Sequence, residues 1–138
     1  MKRFDRHMAS AALLLIGLAG SEGAAETAPP PARSGAEIYA SICQGCHMAD
    51  GGGAVGAASY PALRDNPALA STAFMAVVIL HGRRNMPAFA AAEHPQFFFE
   101  PTWLSDQEVA NVINHVRSHF GNAWTDTIDA DTVATLRH

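Results

Sequence analysis

The chain has 138 residues, with 13 acidic against 9 basic side chains and a formal net charge of −4. That length suits one small domain. The acidic balance argues against nucleic acid, whose phosphates demand basic patches, and weakly favours a partner with a basic docking face.

Lys2, Arg3 and Arg6 form a positive N-terminal region, followed by the apolar stretch Ala11 to Ala19, which is too short for a membrane span. Gly23-Ala24-Ala25 offers small residues for cleavage before Glu26. Residues 1–25 are therefore expected to be a secretory signal peptide, taking the rest of the chain to a bacterial periplasm with no further membrane span. Residues 26–33 contain Pro29-Pro30-Pro31 and read as an extended linker.

Folded structure is expected from Ser34. Ser34 and Glu37 fit a capping box, and Ile38, Tyr39 and Ile42 supply the apolar positions of a helix running into Cys43. The next residues, Cys43-Gln44-Gly45-Cys46-His47, form a C-x-x-C-H motif, the signature of covalent c-type haem attachment. On a helix the spacing i, i+3, i+4 puts Cys43, Cys46 and His47 on one face, where two thiols and an imidazole can meet one flat cofactor. They are the only two cysteines of the chain. A thioredoxin-like pair is expected near a βαβ pattern, which is missing, and a zinc site lacks its second cysteine pair. A simple Cys43–Cys46 disulfide stays open as an alternative.

Residues 49–56 read as a loop around Gly51-Gly52-Gly53, either wrapping the cofactor edge or lying at the surface. Residues 57–65 read as irregular, with Tyr60-Pro61 an extended step. Asn66-Pro67 signals a short helical turn. A helix is predicted over 71–81 with Gly82 as its C-cap; the run Val77-Val78-Ile79 makes a strand the runner-up. Residues 83–89 form a loop, and an aromatic stretch follows with Phe97, Phe98, Phe99 and Trp103. Ser105 and Glu108 form a second capping box. Val109, Val112, Ile113, Val116 and Phe120 then recur at helical spacing as far as Gly121. A short tail helix is predicted over 131–136, capped by Asp129 or Asp131.

An electron-transfer haem needs a second axial ligand, and a thioether opposite the histidine raises the potential. Met48 adjoins His47 and Met75 reads as core. Met86 stands in a loop before Pro87, where a rigid approach across a cofactor is feasible. His81, His94 or an open sixth position are the alternatives. Arg83 and Arg84 flank this loop and read as neutralising the haem propionates, marking a docking face, or lying in solvent.

The order helix, C-x-x-C-H, Tyr-Pro-Ala-Leu, helix-Gly, Asn-Met-Pro-Ala-Phe and a capped helix ending Val-Arg-x-x-Phe-Gly-Asn resembles class I cytochromes c over Ser34 to about Asn122. It is most similar to the monohaem domains serving periplasmic dehydrogenases and oxidases. The resemblance implies an all-α fold whose first and last helices cross, with Gly35 and Tyr39 meeting Val112, Ile113 and Val116. It implies domain limits of 34–122, with 123–138 as a tail. It implies one haem c tethered by Cys43 and Cys46, its iron held by His47 and Met86, and a Pro61 carbonyl bonded to the other nitrogen of His47. Pro87 and Phe89 match the Met-Pro-x-Phe neighbourhood. The function implied is a periplasmic one-electron carrier, either a free shuttle or the electron-transfer subunit of a dehydrogenase or oxidase. Its partners would be redox proteins: a dehydrogenase, a terminal oxidase or another cytochrome. The rival is a haem enzyme or ligand sensor with an open iron position. His115 and Phe120 depart from the family's usual Tyr and Trp, and residues 91–101 are an insertion able to cap the haem crevice or present an apolar docking patch.

Overall fold

The computed structural model describes residues 30–56, 58–90 and 102–138. The signal segment 1–25 and the Phe97–Phe99 run lie outside them, as do His94 and linker residues 26–29. Among the described residues the regular structure is helical apart from one two-residue ladder and an isolated bridge between Arg83 and Met86, with loops between. Helix α1 (Gly35–Ile38) opens on Ser34, whose hydroxyl accepts from the Glu37 amide while the Glu37 carboxylate takes the Ser34 amide. It continues without a break through a π turn, Tyr39–Cys43, into α2 (Gln44–His47). Sequence periodicity gave no sign of this turn. Its Gln44 amide reaches back to the Tyr39 carbonyl, an i to i+5 bond that adds one residue to the turn. The added residue changes the phase between Ile38 and Tyr39, which are buried, and Cys46 and His47, which line a cavity.

Strands β1 (Ala54–Val55) and β2 (Ser59–Tyr60) pair antiparallel where the sequence suggested irregular chain. A 3-10 turn over Pro67–Ala70 follows, capped by Asn66. Helix α3 (Thr72–His81) is capped by Ser71 and stops at Gly82, so the strand alternative for its β-branched run is excluded. Helix α4 (Asp106–Ser118) carries the second capping box. It ends earlier than its apolar spacing predicts. Phe120 and Gly121 adopt φ of +59° and +83°, which swings the Phe120 ring out of the helical register and onto Tyr39, with centroids 4.6 Å apart. Helix α5 (Ala130–Thr135) is capped by Asp129.

The core joins Ile38 and Tyr39, Leu69, Met75, Ala76 and Leu80 of α3, the inner face of α4, and Ile128 and Val133 of the tail. Gly35 fixes the approach of α1 to α4. A Cβ there would sit 2.6 Å from that of His115 and closer still to the Asn111 carbonyl oxygen, so only glycine lets these backbones touch. The two helix starts are also tied together. Glu108, already in its own capping box, accepts Arg33 Nε at 2.6 Å, and the Asn111 side chain donates to the Arg33 carbonyl at 2.8 Å. On the opposite end of α4, Arg117 is 1% exposed and forms a two-pronged pair with Asp126 at 2.5 and 3.0 Å. The Trp124 ring lies over its guanidinium. This fork binds the tail to α4.

Gly35→Ala is expected to lower the free energy of unfolding by about 1–3 kcal/mol, the usual cost of forcing extra carbon into a packed contact; urea denaturation checks it. Arg33 beside Glu108 holds that carboxyl below its ordinary value of 4.5. A depressed carboxylate stabilises the fold above its unfolded pKa, and that stabilisation is lost as pH falls through the lower folded value. Acid titration of stability in Arg33→Gln is therefore expected to give a shallower loss below pH 4.5 than in the parent chain.

Candidate haem site

One cavity of about 650 Å³ collects the motif residues from three separate stretches of chain. The turn leading through α2 contributes Ile42, Cys43, Cys46 and His47, β2 and the residue after it contribute Ser59, Tyr60 and Pro61, and α3 with its following loop contributes Val78, Met86, Pro87 and Phe89. Asn85, Tyr60 and Val78 are wall residues that sequence reasoning missed. The run Val77-Val78-Ile79 was the available signal, but it was read only for secondary structure.

His47 Nδ1 lies 2.9 Å from the Pro61 carbonyl oxygen. A carbonyl only accepts, so Nδ1 carries a proton, and in the neutral imidazole the lone pair is then on Nε2. Two glycines bring Pro61 to this position. Gly53, at φ +67°, backs so closely on the next segment that a Cβ would meet Ala62 N at 2.7 Å. Gly51 accepts the Leu63 and Arg64 amides on its carbonyl at 2.8 and 3.1 Å. Its own missing side chain leaves room for Phe120. The glycine run thus packs against the Pro61 segment and the α4 end.

Cys43 and Cys46 are free thiols. Burial, and then the neighbouring Cys46, push the Cys43 thiol up to about 11. A reactive redox dithiol depends on the opposite, a depressed thiol pKa. Cys43 instead sits as a neutral sulfur at an apolar wall.

Met86 is half-buried at the end of a tight turn. Its amide donates to the Arg83 carbonyl at 3.0 Å, and the Arg83 amide returns to the Met86 carbonyl at 3.1 Å. Gly82 and Arg84 adopt φ of +73° and +56° within this turn. A Cβ on Gly82 would lie 2.7 Å from the Met86 carbonyl oxygen. Arg83 and Arg84 both line the cavity, and Arg83 also lies over the exposed Phe74 ring at 5.8 Å. Of the other candidate ligands, Met75 is buried in the core and His81 bonds the Leu136 carbonyl oxygen at 2.9 Å. His115 packs on Tyr39 and His119, and burial followed by the neighbouring His119 holds its pKa below the ordinary imidazole value.

The donor set fits a covalently tethered haem c. Two thiols, an imidazole with a free Nε2 and a thioether share one apolar-walled cavity, whose volume falls in the range of cofactor pockets.

Residues 30–96 match the family described as Cytochrome C oxidase, cbb3-type, subunit III. Over 119 residues the chain is 33% identical to the fructose dehydrogenase cytochrome subunit of Gluconobacter japonicus, covering 75% of this chain and 22% of that protein. It is 33% identical over 106 residues to the cytochrome c subunit of alcohol dehydrogenase (quinone) from Gluconobacter oxydans (strain 621H), with the same coverages. It is 32% identical over 112 residues to the gluconate 2-dehydrogenase cytochrome c subunit of Pantoea cypripedii, covering 76% of this chain and 24% of that protein. The chain thus spans less than a quarter of the length of these relatives. Residues 30–96 thus match a cytochrome c family domain, and the relatives to which the chain is similar are cytochrome subunits of dehydrogenases.

Proposed function

We propose that this chain is an exported one-electron carrier, with Cys43 and Cys46 as thioether tethers, His47 as proximal ligand and Met86 as distal ligand. The observation that carries the reading is the meeting of these four side chains in one cavity, with His47 Nδ1 already occupied by the Pro61 carbonyl. Bound there, haem c supplies an Fe3+/Fe2+ couple. The protein's own residues bind and orient it. The Pro61 bond fixes the tautomer and rotation of His47 and makes Nε2 a stronger donor. The Arg83–Met86 turn sets the approach of the thioether, a soft donor that raises the potential. Ile42, Val78 and Phe89 keep the cavity wall dry.

The relatives are cytochrome subunits of dehydrogenases, which supports a dehydrogenase catalytic subunit as electron donor, with an oxidase or another cytochrome as acceptor. The carrier itself breaks no substrate bond. Residues 1–25 act as the export signal, since haem attachment to C-x-x-C-H belongs to exported chains. Arg83 and Arg84 place positive charge at the cavity, suited to haem propionates.

Met86→Ala is expected to abolish the methionine-ligated ferric spectrum and lower the reduction potential. Ready carbon monoxide binding by the parent ferrous protein, unchanged in Met86→Ala, would overturn the carrier reading in favour of an open iron. Acid-solvent extraction checks the tethers: haem stays with the parent polypeptide, whereas in a Cys43→Ser, Cys46→Ser double variant all haem is extracted.

A further inference from the structure

Residues 123–138 fall outside both the matched stretch 30–96 and the stretch that resembles cytochromes c, yet the end of this tail reaches the Met86 loop. The loop must hold its shape after Pro87, where it has little secondary structure of its own. Two backbone bonds start the task. The Phe89 and Ala90 amides donate to the Ile79 and Leu80 carbonyls, each at 3.0 Å, filling acceptors that the end of α3 leaves open. The Ala90 carbonyl is then taken by the Arg137 guanidinium, through Nη1. Arg137 Nη2 donates to the Leu104 carbonyl at 3.0 Å, and Nε donates to Asp106 Oδ1 at 2.7 Å. The Leu104 amide in turn bonds the Phe89 carbonyl at 3.0 Å.

One planar guanidinium therefore fastens the exit of the Met86 loop to the strand of chain entering α4 and to a carboxylate in the first turn of α4. Arginine suits this task because its donors form a rigid fork. Its backbone is held from behind. Val133 is fully buried and Leu136 packs on the core. His81, the last residue of α3, donates from Nε2 to the Leu136 carbonyl at 2.9 Å. The start and the exit of the Met86 loop are thus both anchored to consecutive tail residues, Leu136 and Arg137.

We infer that Arg137 is a positioning residue for the Met86 ligand: the tail clamps the distal loop shut and so sets how readily the thioether leaves the iron. This rests on the reading of Met86 as the distal ligand. Losing charge-assisted bonds to backbone carbonyls loosens the segment that carries them, and a looser loop exposes the iron to competing ligands.

The test uses the haem-loaded full chain with free imidazole as the competing ligand. Apparent imidazole affinity of the ferric protein is expected to rise about tenfold in Arg137→Gln and to return towards the parent value in Arg137→Lys. Arg33→Gln breaks a comparable pair at the α1–α4 junction and serves as the structural control; it lowers unfolding stability but leaves imidazole affinity unchanged. Amide hydrogen exchange at Phe89 and Ala90 is expected to quicken in Arg137→Gln and not in Arg33→Gln. If Arg137→Gln matches the parent in both readouts, or matches Arg33→Gln, the positioning role is wrong. Met86→Ala separates the two readings. Should it bind imidazole no more tightly than the parent, the ligand role of Met86 fails, while amide exchange still judges the clamp.

Discussion

The contact of α1 with α4 at Gly35 sets the position of nearly everything at the site. With no side chain between the two backbones, Tyr39 is carried down against α4, where it is buried. Its hydroxyl donates to the Met48 carbonyl at 2.7 Å, holding the residue immediately after the C-x-x-C-H motif. Its ring rests on Phe120, which fills the space beside Gly51. Gly51 receives the Leu63 and Arg64 amides, and Gly53 presses on Tyr60 to Ala62. The end of that relay is the Pro61 carbonyl on His47 Nδ1. A side chain at position 35 would push apart the first members of the series and be felt at the imidazole.

The parts legible in the sequence are those decided by near neighbours. Both capping boxes were readable because Ser34 and Glu37, like Ser105 and Glu108, satisfy each other within one turn. Gly82 was readable as a helix stop, and the motif cysteines as one face. The parts that were not legible depend on distant partners. The π turn at Tyr39–Cys43 is a one-residue insertion beneath the resolution of a hydrophobic pattern. Phe120 keeps helical spacing but leaves the helix, because a left-handed backbone lets it reach Tyr39. Arg117, in the last turn of α4, finds its partners only in the tail, in the Asp126 carboxylate and the Trp124 ring. The loop position of Met86 before Pro87 was readable, but the bonds that fix the loop's exit come from α3 and the tail.

The arginines divide by role. Arg33, Arg64, Arg117 and Arg137 each pair with a carboxylate: Glu108, Asp50, Asp126 and Asp106. Three of these pairs tie together parts of the chain that the helices alone leave separate, while the Arg64–Asp50 pair is exposed and contributes little. Arg83 and Arg84 have no carboxylate partner among the described residues, and both line the cavity. Among the described residues, the arginine charge left without a carboxylate is therefore concentrated at this cavity, which suits the acidic groups of the proposed cofactor.

The Arg137 clamp also has a bearing on the order in which the molecule is assembled. A chain made from its N-terminus presents Cys43, Cys46 and His47 first, then Met86, and Arg137 well behind them. The Met86 loop therefore lacks its guanidinium fastener until the last residues have emerged. Until α5 has been made, the motif cysteines are present while the Met86 side of the cavity lacks that fastener. With Arg137 so far along the chain, the brace on the Met86 wall is the last of these parts to be made.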